Sequence, residues 1–91
     1  MDDIRVPLGE AIIEWTEIDD GSPVVGETLR TARIRERTGT SVIAIQRGPD
    51  TLANPEPDAT IEPGDILVTL GTREEQQSLD AYLDRSTEGG A

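Results

Sequence analysis

The sequence predicts a small α+β domain built from one β-sheet and about two helices. Three runs rich in β-branched residues are separated by breaks that contain proline or glycine, which is typical of short strands. Near the C-terminus, a capping motif precedes apolar residues at helical spacing. With 91 residues the chain forms one domain, which we place at 11–85, after a flexible lead-in over 1–10 and before a disordered tail over 86–91.

The first strand is predicted over residues 11–18, where the run AIIEWTEI combines β-branched and aromatic side chains. The lead-in before it contains Pro7 and Gly9 as well as two aspartates, so we expect no regular structure there. The strand ends at a break over residues 19–23, which holds two aspartates, a glycine and a proline.

Helical signals follow this break. Thr28 is a suitable N-cap for a short helix that runs to about Ala32. We expect a second helical turn that ends at Gly39, because glycine readily adopts the left-handed conformation that terminates helices.

The run SVIAIQR, residues 41–47, is the clearest strand signal in the chain. Simple alternation places Ile43 and Ile45 on one face and Val42 and Ala44 on the other. Apolar residues on both faces indicate that both sides of this strand are covered.

Two further strands are predicted after it. A turn over residues 48–50 leads into a short strand over 51–53, which completes a hairpin. The two prolines in residues 54–58 exclude regular structure. Pro63 and Gly64 suit the central positions of a type II turn, which leads into the strand ILVTL over residues 66–70.

The last element is predicted to be an amphipathic helix. Thr72 and Glu75 form a capping box at its start, and Leu79, Tyr82 and Leu83 form an apolar stripe at i, i+3 and i+4 spacing.

The composition limits the classes of partner. The chain has a net charge of −11, with eight arginines and no lysine, histidine or cysteine. Since nucleic acids and anionic lipids attract basic proteins, we expect neither as a direct partner. The sequence shows no transmembrane run or signal peptide, so we predict a cytoplasmic protein, and the acidic composition suits a halophilic source. A small core without disulfides favours a homodimer.

Half of the positive charge lies in one short segment, at Arg30, Arg33, Arg35 and Arg37. Arginine makes two-pronged contacts with phosphate or carboxylate, so the segment is a candidate anion site. The alternative is a solvated helix face on which the arginines pair with the nearby carboxylates of Glu27 and Glu36.

The residue types needed for common catalytic mechanisms are absent. Without histidine, cysteine or lysine there is no histidine-based triad, thiolate or Schiff base, and no G-x-G-x-x-G accompanies Gly71. We therefore expect a non-enzyme without cofactor or resident metal. A hard-cation site remains an alternative at four acidic residues, although their spacing fits no EF-hand loop: Glu14, Glu17, Asp19 and Asp20.

Several short motifs, taken in order, resemble one known family. They are Ile13-Glu14-Trp15, Gly26-Glu27-Thr28-Leu29, Ile34-Arg35, Thr38-Gly39, VIAIQR, Asn54-Pro55-Glu56-Pro57 and Pro63-Gly64-Asp65-Ile66-Leu67. Over about residues 13–83 they resemble the C-terminal domain of regulators of potassium conductance, called RCK-C or TrkA-C. The pattern is most similar to regulatory subunits of potassium/proton antiporters of the KhtT kind.

The resemblance implies a small sheet covered by helices, a two-fold dimer, and the sensing of a small ligand on behalf of a membrane cation transporter or channel. Several family members bind cyclic di-AMP in the cleft between two such domains. Transfer by position implies a phosphate contact from Arg35 and further contacts from Leu29, Ile34, Val42, Pro57 and Ser41. Of these, Ser41 stands where related binders can carry asparagine.

A two-fold ligand suits such a dimer, because two copies of Arg35 meet two phosphates through bonds worth about 1.5–3 kcal/mol each.

Two alternatives to this ligand-sensing function are a docking module without ligand and a divalent-cation sensor that uses Glu14 and Glu17. Family members usually carry an N-terminal lobe before this domain. We therefore expect a stand-alone or excised C-terminal domain, peripheral to a membrane transporter.

Overall fold

The computed structural model describes residues 4–84, which form one five-stranded sheet and three helices. The elements are β1 (Ile4–Leu8), β2 (Ala11–Glu17), α1 (Leu29–Ala32), α2 (Ile34–Thr38), β3 (Ser41–Arg47), β4 (Asp50–Ala53), β5 (Ile66–Thr72) and α3 (Arg73–Leu83). All strand pairs are antiparallel, in the order β1-β2-β5-β3-β4. The predicted α+β class is confirmed. The predicted tail over 86–91, residue 85 of the predicted domain and residues 1–3 of the lead-in lie outside the described residues.

The lead-in prediction was wrong over Ile4–Leu8, because these residues form β1 and pair with β2. Gly9, at φ 62°, closes the hairpin between the two strands. Pro7 is tolerated because β1 lies at the edge of the sheet, where one side of the strand has no partner that needs its N–H.

The predicted face assignment within β3 was also wrong, because a β-bulge lies between Val42 and Ala44. The bulge shifts the register by one residue. Val42 is opposite Thr69 and Ile45 is opposite Leu67, so these two side chains share a face, whereas Ala44 lies on the other.

The helices cover one face of the sheet. The side-chain amide of Gln76 on α3 donates to the carbonyl of Ile12 at 2.8 Å, and the Thr69 hydroxyl donates to Gln76 Oε1 at 3.1 Å. This places α3 over β2 and β5. The apolar core lies between the helices and this face, and its buried members are Ile18, Val24, Ala32, Ile34, Ile45, Ile61, Leu67, Leu79 and Leu83.

Within residues 4–84 no helix lies on the opposite face of the sheet. The prediction that both sides of β3 are covered is therefore wrong for the described part of the chain. The pairs Ile13–Leu70, Trp15–Val68 and Ala44–Val68 place these side chains together on that face, next to Ile66. We call these six residues the Trp15 face. They are absent from the core cluster that the helices cover.

Candidate functional site

The predicted start of α1 is confirmed. The Thr28 hydroxyl accepts a hydrogen bond from the Thr31 backbone N–H at 3.1 Å, and the Thr28 N–H donates to the Thr31 hydroxyl at 2.9 Å. This reciprocal cap satisfies donors that the first helical turn leaves without partners.

A kink at Arg33 separates α1 from α2. Its φ of 54° lies in the left-handed region, which is costly for a residue with a side chain. The second helix ends as predicted at Gly39, whose N–H donates to the carbonyl of Arg35 at 2.8 Å. The Thr38 hydroxyl donates to the carbonyl of Ile34 at 2.7 Å and lies 2.8 Å from the Thr40 hydroxyl, which fixes the entry to β3.

The proline-containing loop is tied to the first turn of α1 by backbone bonds. The N–H of Leu29 donates to the carbonyl of Ala59 at 3.0 Å, and the N–H of Arg30 donates to the carbonyl of Pro57 at 2.9 Å. Arg30 also forms an exposed ion pair with Asp58 at 3.2 Å. These bonds hold residues 54–58 beside the helix pair.

A groove of about 370 Å³ lies between the helix pair, the start of β3 and this loop. All six residues that the sequence singled out line it, namely Leu29, Ile34, Arg35, Ser41, Val42 and Pro57. Ile34 is buried in the floor, Leu29, Ser41 and Val42 are half-buried, and Arg35 and Pro57 are exposed at the rim.

Four lining residues were not among the predicted contacts, namely Arg30, Glu36, Thr40 and Pro55. Arg30 and Pro55 belong to segments that the sequence had already singled out, the arginine cluster and the proline loop. No sequence signal pointed to Thr40, which reaches the groove because the end of α2 folds back onto β3.

The four clustered arginines have different environments. Arg30 is paired with Asp58, and the Arg37 guanidinium lies 5.0 Å from the centre of the Tyr82 ring. Arg33 and Arg35 form no ion pair or side-chain hydrogen bond with another residue in the range 4–84. The predicted pairing with Glu27 and Glu36 is therefore wrong for the described chain, and Arg35 presents an unpaired charge at the groove.

A partly buried ion pair between Arg47 and Asp65 lies behind the proline loop. The Arg47 guanidinium donates to both carboxylate oxygens of Asp65, at 2.9 and 2.8 Å, and to the carbonyl of Thr60 at 2.9 Å. Burial alone would raise the pKa of Asp65, but the bonds from Arg47 and from the Glu62 N–H lower that pKa below its usual value. The end of β3, at Arg47, is therefore held against residues 60–65.

The acidic residues proposed as a cation site do not come together. Glu14 is buried and bonded to Arg5 on the helix-covered side, whereas Glu17 lies an odd number of residues away along β2 and so on the other face. Within residues 4–84 no group of three or more potential metal ligands occurs.

A second cavity of about 510 Å³ lies beside β1 and the start of α3, with Arg5 and Arg73 in its wall. Arg5 is engaged by Glu14 and by Asp80 at 3.1 Å, whereas Arg73 has no ion pair with another described residue. The longest described helix has 11 residues, and none in the described range could cross a bilayer.

Sequence comparison identifies the family. The TrkA-C domain profile matches residues 13–84. Potassium channel protein 1 of Methanocaldococcus jannaschii is 38% identical over 73 residues, which is 80% of this chain and 20% of that protein. The K(+)/H(+) antiporter subunit KhtT of Bacillus subtilis is 32% identical over 80 residues, or 87% of this chain and 48% of KhtT. The chain thus spans about half or less of the length of these relatives, and the predicted likeness to KhtT is confirmed.

Solved structures share the fold. The RCK_C domain dimer of S. agalactiae BusR in complex with c-di-AMP superposes with a TM-score of 0.78 at 19% identity, over 88% of this chain and 99% of that chain. The RCK C domain of the potassium transport protein KtrA, in complex with cyclic diadenosine monophosphate, superposes with a TM-score of 0.66 at 28% identity, over 71% of this chain and 74% of that chain.

Proposed function

We propose a ligand-sensing role for this chain, which belongs to the TrkA-C domain family. In this proposal the chain is a cytoplasmic, non-catalytic regulator of a potassium or potassium/proton transport system. The ligand is cyclic di-AMP, bound in the groove where two copies of the chain meet about a two-fold axis.

The observation that carries the proposal is the convergence of six predicted residues on one groove with an unpaired arginine at its rim. Three arginines of the described chain have acidic partners, namely Arg5, Arg30 and Arg47. Arg35 finds none among the described residues, although Glu36 is its neighbour in sequence and lines the same groove. An unpaired guanidinium beside apolar walls suits an anion that carries flat apolar rings, as a purine nucleotide does.

Three further points support the ligand. The related KtrA domain was solved with cyclic diadenosine monophosphate bound. A two-fold dimer presents each groove residue twice, which matches a ligand with two phosphates and two bases. The loop that carries Pro57 is already fixed by backbone bonds, so little ordering entropy opposes binding.

Titration calorimetry of cyclic di-AMP into the purified chain in molar KCl tests the proposal. We expect one ligand for two chains. Replacing Arg35 with alanine removes two charge-assisted contacts from the dimer, so the affinity should fall at least about 100-fold, or about 3 kcal/mol. Arg37→Ala is the matched control, because Arg37 belongs to the same helix but contacts Tyr82 and does not line the groove.

Three outcomes are informative. Equal loss in both variants would show a general effect of positive charge and refute the site. Unchanged affinity in a folded Arg35→Ala variant would refute the phosphate contact. If the wild-type chain shows neither heat nor a thermal shift, the ligand proposal fails, and a docking module without ligand becomes the better description of this domain.

A further inference from the structure

An exposed cationic surface lies where α2 packs against α3, outside the groove. The Tyr82 hydroxyl donates to the carbonyl of Ala32 at 2.8 Å, and the Arg37 guanidinium lies 5.0 Å from the centre of the Tyr82 ring. The N–H of Arg37 donates to the carbonyl of Arg33 at 2.9 Å, so the two arginines lie one helical turn apart, about 6 Å along the axis. We call Arg33, Arg37 and Tyr82 the Tyr82 patch. None of the three lines the groove.

The backbone at Arg33 is strained, and no contact within the described chain accounts for the strain. Its φ of 54° lies in the left-handed region, where glycine is favoured and a residue with a side chain is disfavoured. The side chain is exposed and forms no ion pair or side-chain hydrogen bond with another residue in the range 4–84. Residues in such conformations cluster at functional sites, so the position of Arg33 indicates a contact outside the chain.

The side chain of Arg37 is held in an ordered position at the surface. The ring of Tyr82 attracts the guanidinium and is itself fixed by the bond from its hydroxyl to the end of α1. An ordered guanidinium loses less side-chain entropy when it binds a partner. Arginine and tyrosine are also enriched among the residues that contribute most to the affinity of protein interfaces.

We propose that the Tyr82 patch is a docking surface for a short acidic segment of a partner protein. A carboxylate binds a guanidinium through two parallel hydrogen bonds, and the patch offers two guanidinium groups. In an extended segment, side chains at alternate positions point the same way and lie about 7 Å apart, close to the separation of Arg33 and Arg37 along their axis. The segment that fits therefore carries acidic residues at alternate positions.

The net charge of the chain favours a short segment over larger anions. The chain carries a charge of −11, and Arg33 and Arg37 belong to the segment that contains half of its arginines. A nucleic acid, an anionic membrane or a second copy of the chain would be repelled by the field of the whole protein. A short segment meets mainly the patch, because the Debye length of about 8 Å at an ionic strength of about 0.15 M screens the more distant carboxylates.

Nuclear magnetic resonance of the isotope-labelled chain tests the proposal, because exposed charge pairs bind weakly and this method detects weak binding. The probe is a capped peptide of alternating glutamate and alanine, at an ionic strength of about 0.15 M. We expect the Nε–Hε signals of Arg33 and Arg37 and the ring signals of Tyr82 to shift in one saturable titration. The signal of Arg73 should not move, and a peptide of alternating glutamine and alanine should cause no shift.

Arg33→Gly is the most informative variant, because glycine suits the backbone at this position and the fold should be retained. It should weaken binding of the acidic peptide at least about 3-fold, as should Arg37→Ala, since each variant removes one of two contacts. Arg73→Ala is the matched control. It removes the same charge from an exposed position at the start of α3, about 14 Å from Tyr82 along the helix, and should leave binding unchanged.

Four results would overturn the proposal. Equal loss in Arg73→Ala would show a general response to net charge, and the absence of a shift at millimolar peptide would show that the patch does not recognise carboxylates. Stronger peptide binding by a chain that ends at Asp84 would identify residues 85–91 of the chain itself as the occupant. A lower sedimentation mass of Arg33→Gly than of wild type would identify a second copy as the occupant.

This proposal and the ligand proposal can fail separately. The affinity for cyclic di-AMP should be the same in Arg33→Gly as in wild type, because Arg33 does not line the groove. Conversely, Arg35→Ala should leave the shifts of the Tyr82 ring on addition of the acidic peptide unchanged. Loss of those shifts in Arg35→Ala would place the peptide in the groove and refute docking on the Tyr82 patch.

Discussion

Replacing Asp65 with alanine should destabilise the domain more than any other single ion-pair substitution in the described chain. The carboxylate is 1% exposed and accepts three hydrogen bonds, two from Arg47 at 2.9 and 2.8 Å and one from the Glu62 N–H at 2.9 Å. These bonds fasten the turn over residues 62–65 to the end of β3. Removing the carboxylate therefore frees two segments that are far apart in sequence.

The magnitude follows from the number of bonds and from the exposure of the partner. Three bonds to a charged acceptor are worth about 1.5–3 kcal/mol each in a fully buried setting. The Arg47 side chain is 35% exposed, so water recovers part of its solvation, and we expect a net loss of about 2–4 kcal/mol in the free energy of unfolding. For a domain of this size, that loss lowers Tm by roughly 10–30 °C.

Urea unfolding at neutral pH, followed by far-UV circular dichroism, measures this loss as a lower midpoint with an unchanged m-value. Asp58→Ala is the control, because it breaks an exposed ion pair whose side chains are 65% and 83% exposed and should not shift the midpoint measurably. Equal midpoint shifts in the two variants would refute the reasoning from burial.

Three further predictions follow from single contacts. Tyr82→Phe removes the 2.8 Å bond from the hydroxyl to the carbonyl of Ala32 but keeps the ring, and should lower the free energy of unfolding by about 1 kcal/mol in urea. Arg33→Gly relieves a φ of 54° at some cost in chain entropy, and thermal unfolding should show a net gain of about 0.5 kcal/mol. The lowered pKa of Asp65 stabilises the fold above about pH 4, and this contribution is lost as the pH falls through the native pKa. The difference in urea midpoint between wild type and Asp65→Asn should therefore shrink on acidification below about pH 4, and a constant difference would contradict the pKa shift.

Local signals in the sequence predicted local structure correctly. The cap at Thr28, the capping box of Thr72 and Glu75, and the turn at Gly64 each depend on residues within three or four positions of one another. At the two caps a side chain supplies the missing hydrogen bond, and at Gly64 the absence of a side chain permits the positive φ angle, so no knowledge of the remaining fold is needed.

Long-range pairing could not be predicted in the same way. β1 contains a proline and is followed by a glycine, and it is a strand because β2 offers a complete ladder of partners. The bulge in β3 arises from its pairing with β5, and no residue between Val42 and Ala44 signals it. The uncovered side of the sheet was missed for the same reason, since strand alternation shows that two faces are apolar but not which of them the helices cover.

The six groove residues were grouped by resemblance to a family and not by any pattern within the chain. Leu29 and Pro57 are 28 positions apart, and they meet because backbone bonds join the first turn of α1 to the proline loop. Spacing alone cannot reveal such a contact, because the loop has no periodicity. The cluster of arginines in the sequence predicted the groove residue only in part. In the structure Arg30 pairs with Asp58 and Arg37 contacts Tyr82, whereas Arg35 has no such partner among the described residues.

Net charge is a poor guide to small ligands in a chain of this kind. The net charge of −11 argues against nucleic acid as a partner, because a long phosphate backbone is repelled by the electrostatic field of the whole protein. A dinucleotide in the groove meets mainly Arg35, and in molar salt the Debye length of about 3 Å removes the repulsion from distant carboxylates while leaving the contact itself. The affinity of the proposed complex should therefore hold or rise with KCl, whereas binding driven by diffuse positive charge falls steeply with salt. A steep fall would show that the ligand depends on the whole arginine cluster and not on Arg35 alone.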